Sequence, residues 1–132
     1  MATQPKKKQK PGTEIRRRED FSSVYANNCY LEPSPFDLKL IFGILDQQGG
    51  KPAIEQHTQV NLSWPEAKLV SFLLQFQIAA HEIENGKIKI PSRAFPPEPP
   101  PIPKELESDP LVKKFREIFI KMREDFIAGL QQ

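Results

Sequence analysis

Between Pro91 and Pro103 this chain places seven of its fourteen prolines, and no other feature limits its fold so sharply. Each proline removes a backbone donor and fixes φ, so neither a helix interior nor a central strand can run through the segment. What the segment can form is polyproline II, a semi-rigid spacer of about 3.1 Å per residue, over Phe95-Pro-Pro-Glu-Pro-Pro-Pro-Ile-Pro103. The chain of 132 residues is thereby expected to divide into a disordered basic tail at 1–20, too poor in apolar residues to offset the cost of ordering, a small domain at 21–91, a Pro-rich linker at 92–107 and an amphipathic helix at 108–132. A core of roughly 70 residues buries only a modest share of its surface. Self-association, or help from the C-terminal segment, is a physical expectation.

Within the small domain the apolar residues first repeat with a period of two. Val24, Ala26, Asn28 and Tyr30 alternate with Tyr25, Asn27, Cys29 and Leu31, then Pro33 and Pro35 force a corner. Phe36, Leu38, Leu40, Phe42 and Ile44 alternate with Asp37, Lys39, Ile41, Gly43 and Leu45, the clearest strand signal present. Gly49-Gly50 marks a turn, lacking the spacing of a phosphate cradle. Residues 54–62 alternate again, with Thr58, Val60 and Leu62 set against His57, Gln59 and Asn61. Short connections make a three-stranded antiparallel meander the simplest topology.

The period then changes. Ser63-Trp-Pro-Glu66 reads as a capping box opening a helix, with proline tolerated in the first turn. Leu69, Leu73, Phe76, Ala80 and Ile83 form a helical stripe, which Val70, Leu74 and Ile78 widen. A helix this apolar has more face than a three-stranded sheet covers, so its second face is assigned to another copy of the chain. Asn85-Gly86 supplies the stop, and 88–90 reads as a short edge strand. Beyond the prolines, Ser108-Asp-Pro110 starts a second helix. Its Phe115, Phe119, Met122 and Phe126 share a face opposite Lys113, Lys114, Arg116, Glu117, Arg123 and Glu124. The fold class is α+β: a meander packed on one long helix, then a linker and an amphipathic helix.

Several of these stretches occur together, in order, in a known family. Tyr25-Ala-Asn-Asn28, Ser34-Pro-Phe-Asp37 through Phe42-Gly43, Val60-Asn-Leu-Ser-Trp-Pro-Glu-Ala-Lys68 and Glu84-Asn-Gly-Lys-Ile88 resemble the bacterial family catalogued as domain of unknown function 3467, over roughly residues 22–90. Departures fall at Trp64 and Glu66, where the family carries Met and often His, and at His81, where Tyr precedes the glutamate. The resemblance implies a compact α+β domain in a bacterial cytoplasm. It brings no activity, substrate or catalytic residue.

Charge and chemistry narrow the functional classes. The net charge of +2 conceals a tail in which Lys6, Lys7, Lys8, Lys10, Arg16, Arg17 and Arg18 outweigh three acids. The rest of the chain is mildly acidic. Such a tail binds phosphate without sequence readout, yet it lacks the aromatic residues of a stacking platform. The single cysteine, Cys29, excludes a disulfide framework and a cysteine-rich zinc site. The basic start lacks an apolar signal region, and no apolar run reaches a membrane span. A reducing, cytoplasmic setting is the expectation.

His57 and His81 have Asp37, Glu55, Glu82 and Glu84 as partners for a metal, without recognised ligand spacing. Cys29 with His57 is a formal nucleophile pair, without an oxyanion loop. Asn27 and Asn28 are expected to satisfy backbone groups at a strand irregularity. No cofactor or metal site is assigned.

The leading expectation is a non-enzymatic interaction module, homodimeric through Leu69, Leu73, Phe76 and Ile83. Phe115, Phe119, Met122 and Phe126 then dock a protein partner or the sister subunit. The alternative is a nucleic-acid-associated protein using its basic tail. A third class, a small hydrolase, would require Asn27, His57 and Asp37 to converge in one pocket.

Overall fold

The computed structural model describes residues 12–131 and divides into two units, Met1–Ala67 and Lys68–Gln132. The disorder expected for 1–20 falls largely on residues outside that description. From residue 12 to 27 there is no helix or strand, only a turn in which Phe21 N–H donates to the Arg18 carbonyl at 3.0 Å.

The first unit is the meander that the alternation predicts. Strands β1 (Asn28–Pro33), β2 (Asp37–Asp46) and β3 (Ala53–Ser63) pair antiparallel in the order β1-β2-β3. β1 begins four residues later than its alternation, and Asn27 is the reason. Its backbone N–H donates to the Gly43 carbonyl at 3.1 Å, while its side-chain oxygen takes the Leu45 N–H at 2.7 Å. Asn27 thus ends the β1 ladder as a backbone-satisfying residue.

Ser34 builds the corner between β1 and β2. Its hydroxyl accepts from the N–H of Phe36 and Asp37 at 3.2 and 3.1 Å and donates to the Asp37 carboxylate at 2.8 Å. The Trp64 indole N–H then donates to the Ser34 carbonyl at 2.9 Å. Asn61, on the neighbouring strand, reaches the same Asp37 carboxylate at 3.3 Å. A small polar network therefore fixes this end of the sheet.

The regular alternation read over 54–62 does not hold throughout. Phe42 pairs with Thr58 but Gly43 pairs with Gln56, leaving His57 as the extra residue of a β-bulge. Gly43 is required there: a Cβ on it would lie 2.6 Å from the Glu55 carbonyl oxygen and 3.0 Å from Gln56 Cα. Gly43 alone is buried among the described residues.

The bulge resets the faces. Leu31, Leu38, Leu40, Phe42, Thr58, Val60 and Leu62 share one side of the sheet. On the other side, Tyr30, Ile41, Leu45 and Ile54 fall together.

Helix α1 (Trp64–Asn85) follows β3 directly. Ser63 caps it by accepting from Glu66 N–H at 3.3 Å. Its stop is the expected one: Gly86, at φ +86°, donates to the Glu82 carbonyl at 2.9 Å. Residues 88–90 do not join the sheet as an edge strand; Ile88 N–H is held at 2.9 Å by the Glu82 carboxylate instead.

In the second unit, 3-10 turns at Ser92–Ala94 and Lys104–Leu106 bracket the proline run. Helix α2 (Pro110–Leu130) is capped by Asp109, whose carboxylate accepts from Leu111 N–H at 2.9 Å.

Gly43→Ala drives a methyl into backbone that cannot rotate away. Overpacking of this kind costs about 1–3 kcal/mol, so thermal melting at fixed protomer concentration is expected to fall by several degrees.

Candidate interaction surfaces

Among the described residues, the candidate groupings for chemistry do not form. Both ring nitrogens of His57 are engaged, Nε2 with the Tyr25 carbonyl at 2.9 Å and Nδ1 with the Thr58 hydroxyl at 2.7 Å. Asp37 lies six residues from Gly43 along β2, about 20 Å at strand rise, and is held by Ser34 and Asn61. Asn27 is occupied by Leu45 N–H. Asn27, His57 and Asp37 therefore share no pocket, and neither nitrogen of His57 addresses Cys29, which is exposed. Among the described residues, no three His, Cys, Asp or Glu side chains gather as a metal would require.

The basic cluster divides at the limit of the description. Lys6, Lys7, Lys8 and Lys10 lie outside the described residues. Arg16 donates to Glu14 at 2.7 Å and holds that carboxyl below its usual range. Arg18 pairs with Asp20 at 3.0 Å, and the Arg17 guanidinium lies 4.7 Å from the centre of the Phe21 ring. These contacts are solvent-exposed and individually weak, but each places a local partner beside a charge offered for phosphate.

What the units present instead is apolar surface. Among the described residues no hydrophobic side chain is buried. On α1, Leu69, Leu73, Phe76 and Ile83 are all exposed, and so is Phe72, which the helical stripe omitted. A monomer rarely leaves a large contiguous apolar patch in water.

Helix α2 separates two stripes. Val112, Arg116, Ile120, Arg123 and Ile127 are half-buried at helical spacing, whereas Phe115, Phe119, Met122 and Phe126 are exposed. The proline run is responsible for the first. It is not a free-standing spacer here: Arg123 Nε donates to the Pro96 carbonyl at 2.7 Å and Arg116 Nε to the Pro100 carbonyl at 3.3 Å. Four polyproline residues span about 12 Å and seven helical residues about 10 Å. The two arginines therefore match two carbonyls of an antiparallel strap.

Glu98 lies 4.0 Å from the Arg123 guanidinium, which is only 23% exposed. The signal for this was the two arginines seven apart on α2; a segment with few donors offers carbonyls, and arginine supplies donors alone. In the same unit, an apolar hollow of about 510 Å³ is lined by Ile78, Ala79, Ile88, Ile90, Phe126 and Leu130, among others.

These features define an α+β module without an assembled catalytic or metal-binding constellation among its described residues, and many of its large apolar strand and helix residues are exposed. The chain belongs to the family described as "Protein of unknown function (DUF3467)", whose pattern matches residues 1–90. The match extends further toward the N-terminus than the motifs at 22–90 and takes in the basic tail. No curated protein and no solved structure matches the chain. Among the described residues, no helix is long and apolar enough to cross a membrane.

Arg123→Ala removes the best anchor of the strap. Trypsin cleavage after Arg93 and Lys104, which bracket it, is expected to accelerate severalfold in a limited-digestion time course, with helix content by circular dichroism retained.

Proposed function

We propose that this protein is a non-enzymatic interaction and assembly module, homodimeric in the cytoplasm. Its α1 residues Leu69, Leu73, Phe76 and Ile83 meet a second copy, and α2 docks a partner protein or the sister subunit through Phe115, Phe119, Met122 and Phe126. One observation carries this reading: the lack of any buried hydrophobic side chain among the described residues. Covering one Leu or Phe contributes about 1.5–3 kcal/mol, so a second copy that covers four of them offsets much of the cost of association.

The deciding experiment is light scattering after size exclusion on the full chain. A dimer or higher closed assembly is expected. Leu73→Lys is expected to weaken it by roughly ten- to a hundredfold in Kd, and Phe119→Asp separates the two roles of α2: it weakens self-association where α2 docks the sister subunit and leaves it unchanged where α2 docks a partner protein. A monomeric wild-type chain at high micromolar concentration sinks the proposal.

Binding of nucleic acid through Lys6, Lys7, Lys8, Lys10, Arg16, Arg17 and Arg18 is the second reading. What supports it is the clustering of these seven basic residues within the first eighteen positions. Its signature is affinity that falls steeply with salt and vanishes on deletion of residues 1–18. Retention of binding after that deletion excludes it.

A further inference from the structure

The two edges of the sheet are not alike. β1 has six residues, ends in Pro33 and is followed by Pro35; short length and proline are devices that blunt an edge against pairing. β3 is the opposite edge, and its eleven residues include neither proline, lysine nor arginine. Its one charge is Glu55, and its bulge at His57 lies upstream of a run without a register shift, Thr58 to Ser63. That run is mostly exposed and uncharged, and its Thr58 and Val60 are good strand formers. An edge of this length and composition is a template for another strand.

The run is also complementary to itself. In an antiparallel pairing about Val60, Val60 faces Val60, Thr58 faces Leu62 and Gln59 faces Asn61. Every opposed pair falls on the same face in both copies, and no like charges meet. Registers shifted by one residue would set the apolar face of one sheet beside the polar face of the other. Twofold pairing of this kind is closed and consumes the edge, so it does not propagate.

We propose that the outer edge of β3 pairs antiparallel with β3 of a second copy, in a register centred on Val60, joining two three-stranded sheets into one continuous sheet. The pairing rests on the self-association reading and deepens it by naming a contact separate from Leu69, Leu73, Phe76 and Ile83. It sets the residues Leu31, Leu38, Leu40, Phe42, Val60 and Leu62 of both copies on one shared apolar face.

The test is disulfide trapping in the full-length chain, using Val60→Cys in a Cys29→Ser background. Mild oxidation is expected to double the apparent mass on a non-reducing gel, while Gln59→Cys in the same background, offset from its own copy, stays single. The wild type, with Cys29 on the other edge, is also expected to stay single. As a second readout, Val60→Lys and Val60→Glu should each lose the pairing alone and regain it as a mixed dimer.

Failure to trap Val60→Cys, with a dimer that dissociates on Leu73→Lys, overturns this inference and leaves the α1 reading standing. Trapping that survives Leu73→Lys supports the β3 contact and removes the α1 assignment. Crosslinking through Cys29 with none at position 60 places the second copy at β1 and overturns the proposal. A monomer throughout overturns both.

Discussion

At Gly43 the backbone of β3 passes so close to β2 that the first carbon of any side chain would sit 2.6 Å from the Glu55 carbonyl oxygen. The register of the sheet on both sides follows from this approach. Because Gly43 faces Gln56 while Phe42 faces Thr58, His57 becomes supernumerary, and its ring can reach the Tyr25 carbonyl beyond β2. The same point supplies the Gly43 carbonyl to Asn27 N–H. Three segments distant in sequence are tied at one glycine, and the tie uses up the polar atoms that a catalytic reading would need.

The bulge also decides what the sheet shows to its surroundings. In an unbroken strand Ile54 would stand beside Val60 and Leu62, because all three share parity. One inserted residue sends Ile54 to the other face, opposite Leu45, and puts Glu55 opposite Ile44. The apolar face thereby gains a charged margin, and the polar face gains a small apolar group of its own. A two-faced distribution of this kind suits a sheet with neighbours on both sides better than one with a wet face.

Much of this was legible in the residues. Alternation at 36–45 gave β2 its position, Ser63 and Gly86 gave α1 its ends, and Asp109-Pro110 gave the start of α2, because caps and turns are local chemistry. The bulge was not read, although a glycine inside a strand pattern is its usual sign. Periodicity counts side chains and cannot register a backbone that approaches another. The strap escaped for a related reason. Arg116 and Arg123 look like the wet side of an amphipathic helix, and only a second segment bearing carbonyls at matching spacing turns them into anchors. The Phe stripe beside them is a face in sequence and exposed in the structure, yet a face in sequence says nothing of what covers it.

Chemistry also explains why these surfaces are arranged as they are. A proline run can accept hydrogen bonds but has few to donate, so it docks on α2 through guanidinium groups and leaves the aromatic side chains alone. Strap and Phe stripe thus occupy different parts of one helix without competing for the same atoms. The sheet obeys a comparable division: β1, cut short by Pro33, resists extension, while β3 beyond His57 runs on without a register shift and without charge. Indiscriminate stickiness would leave both edges open and would give the apolar residues no margin of charge. One blunted edge and one open edge are what the proposed β3 pairing requires, and in that pairing a twofold axis would end the assembly at the contact. Under the proposed pairing the exposed apolar surface would be the part of a core that two copies share, with Gly43 setting the register in each.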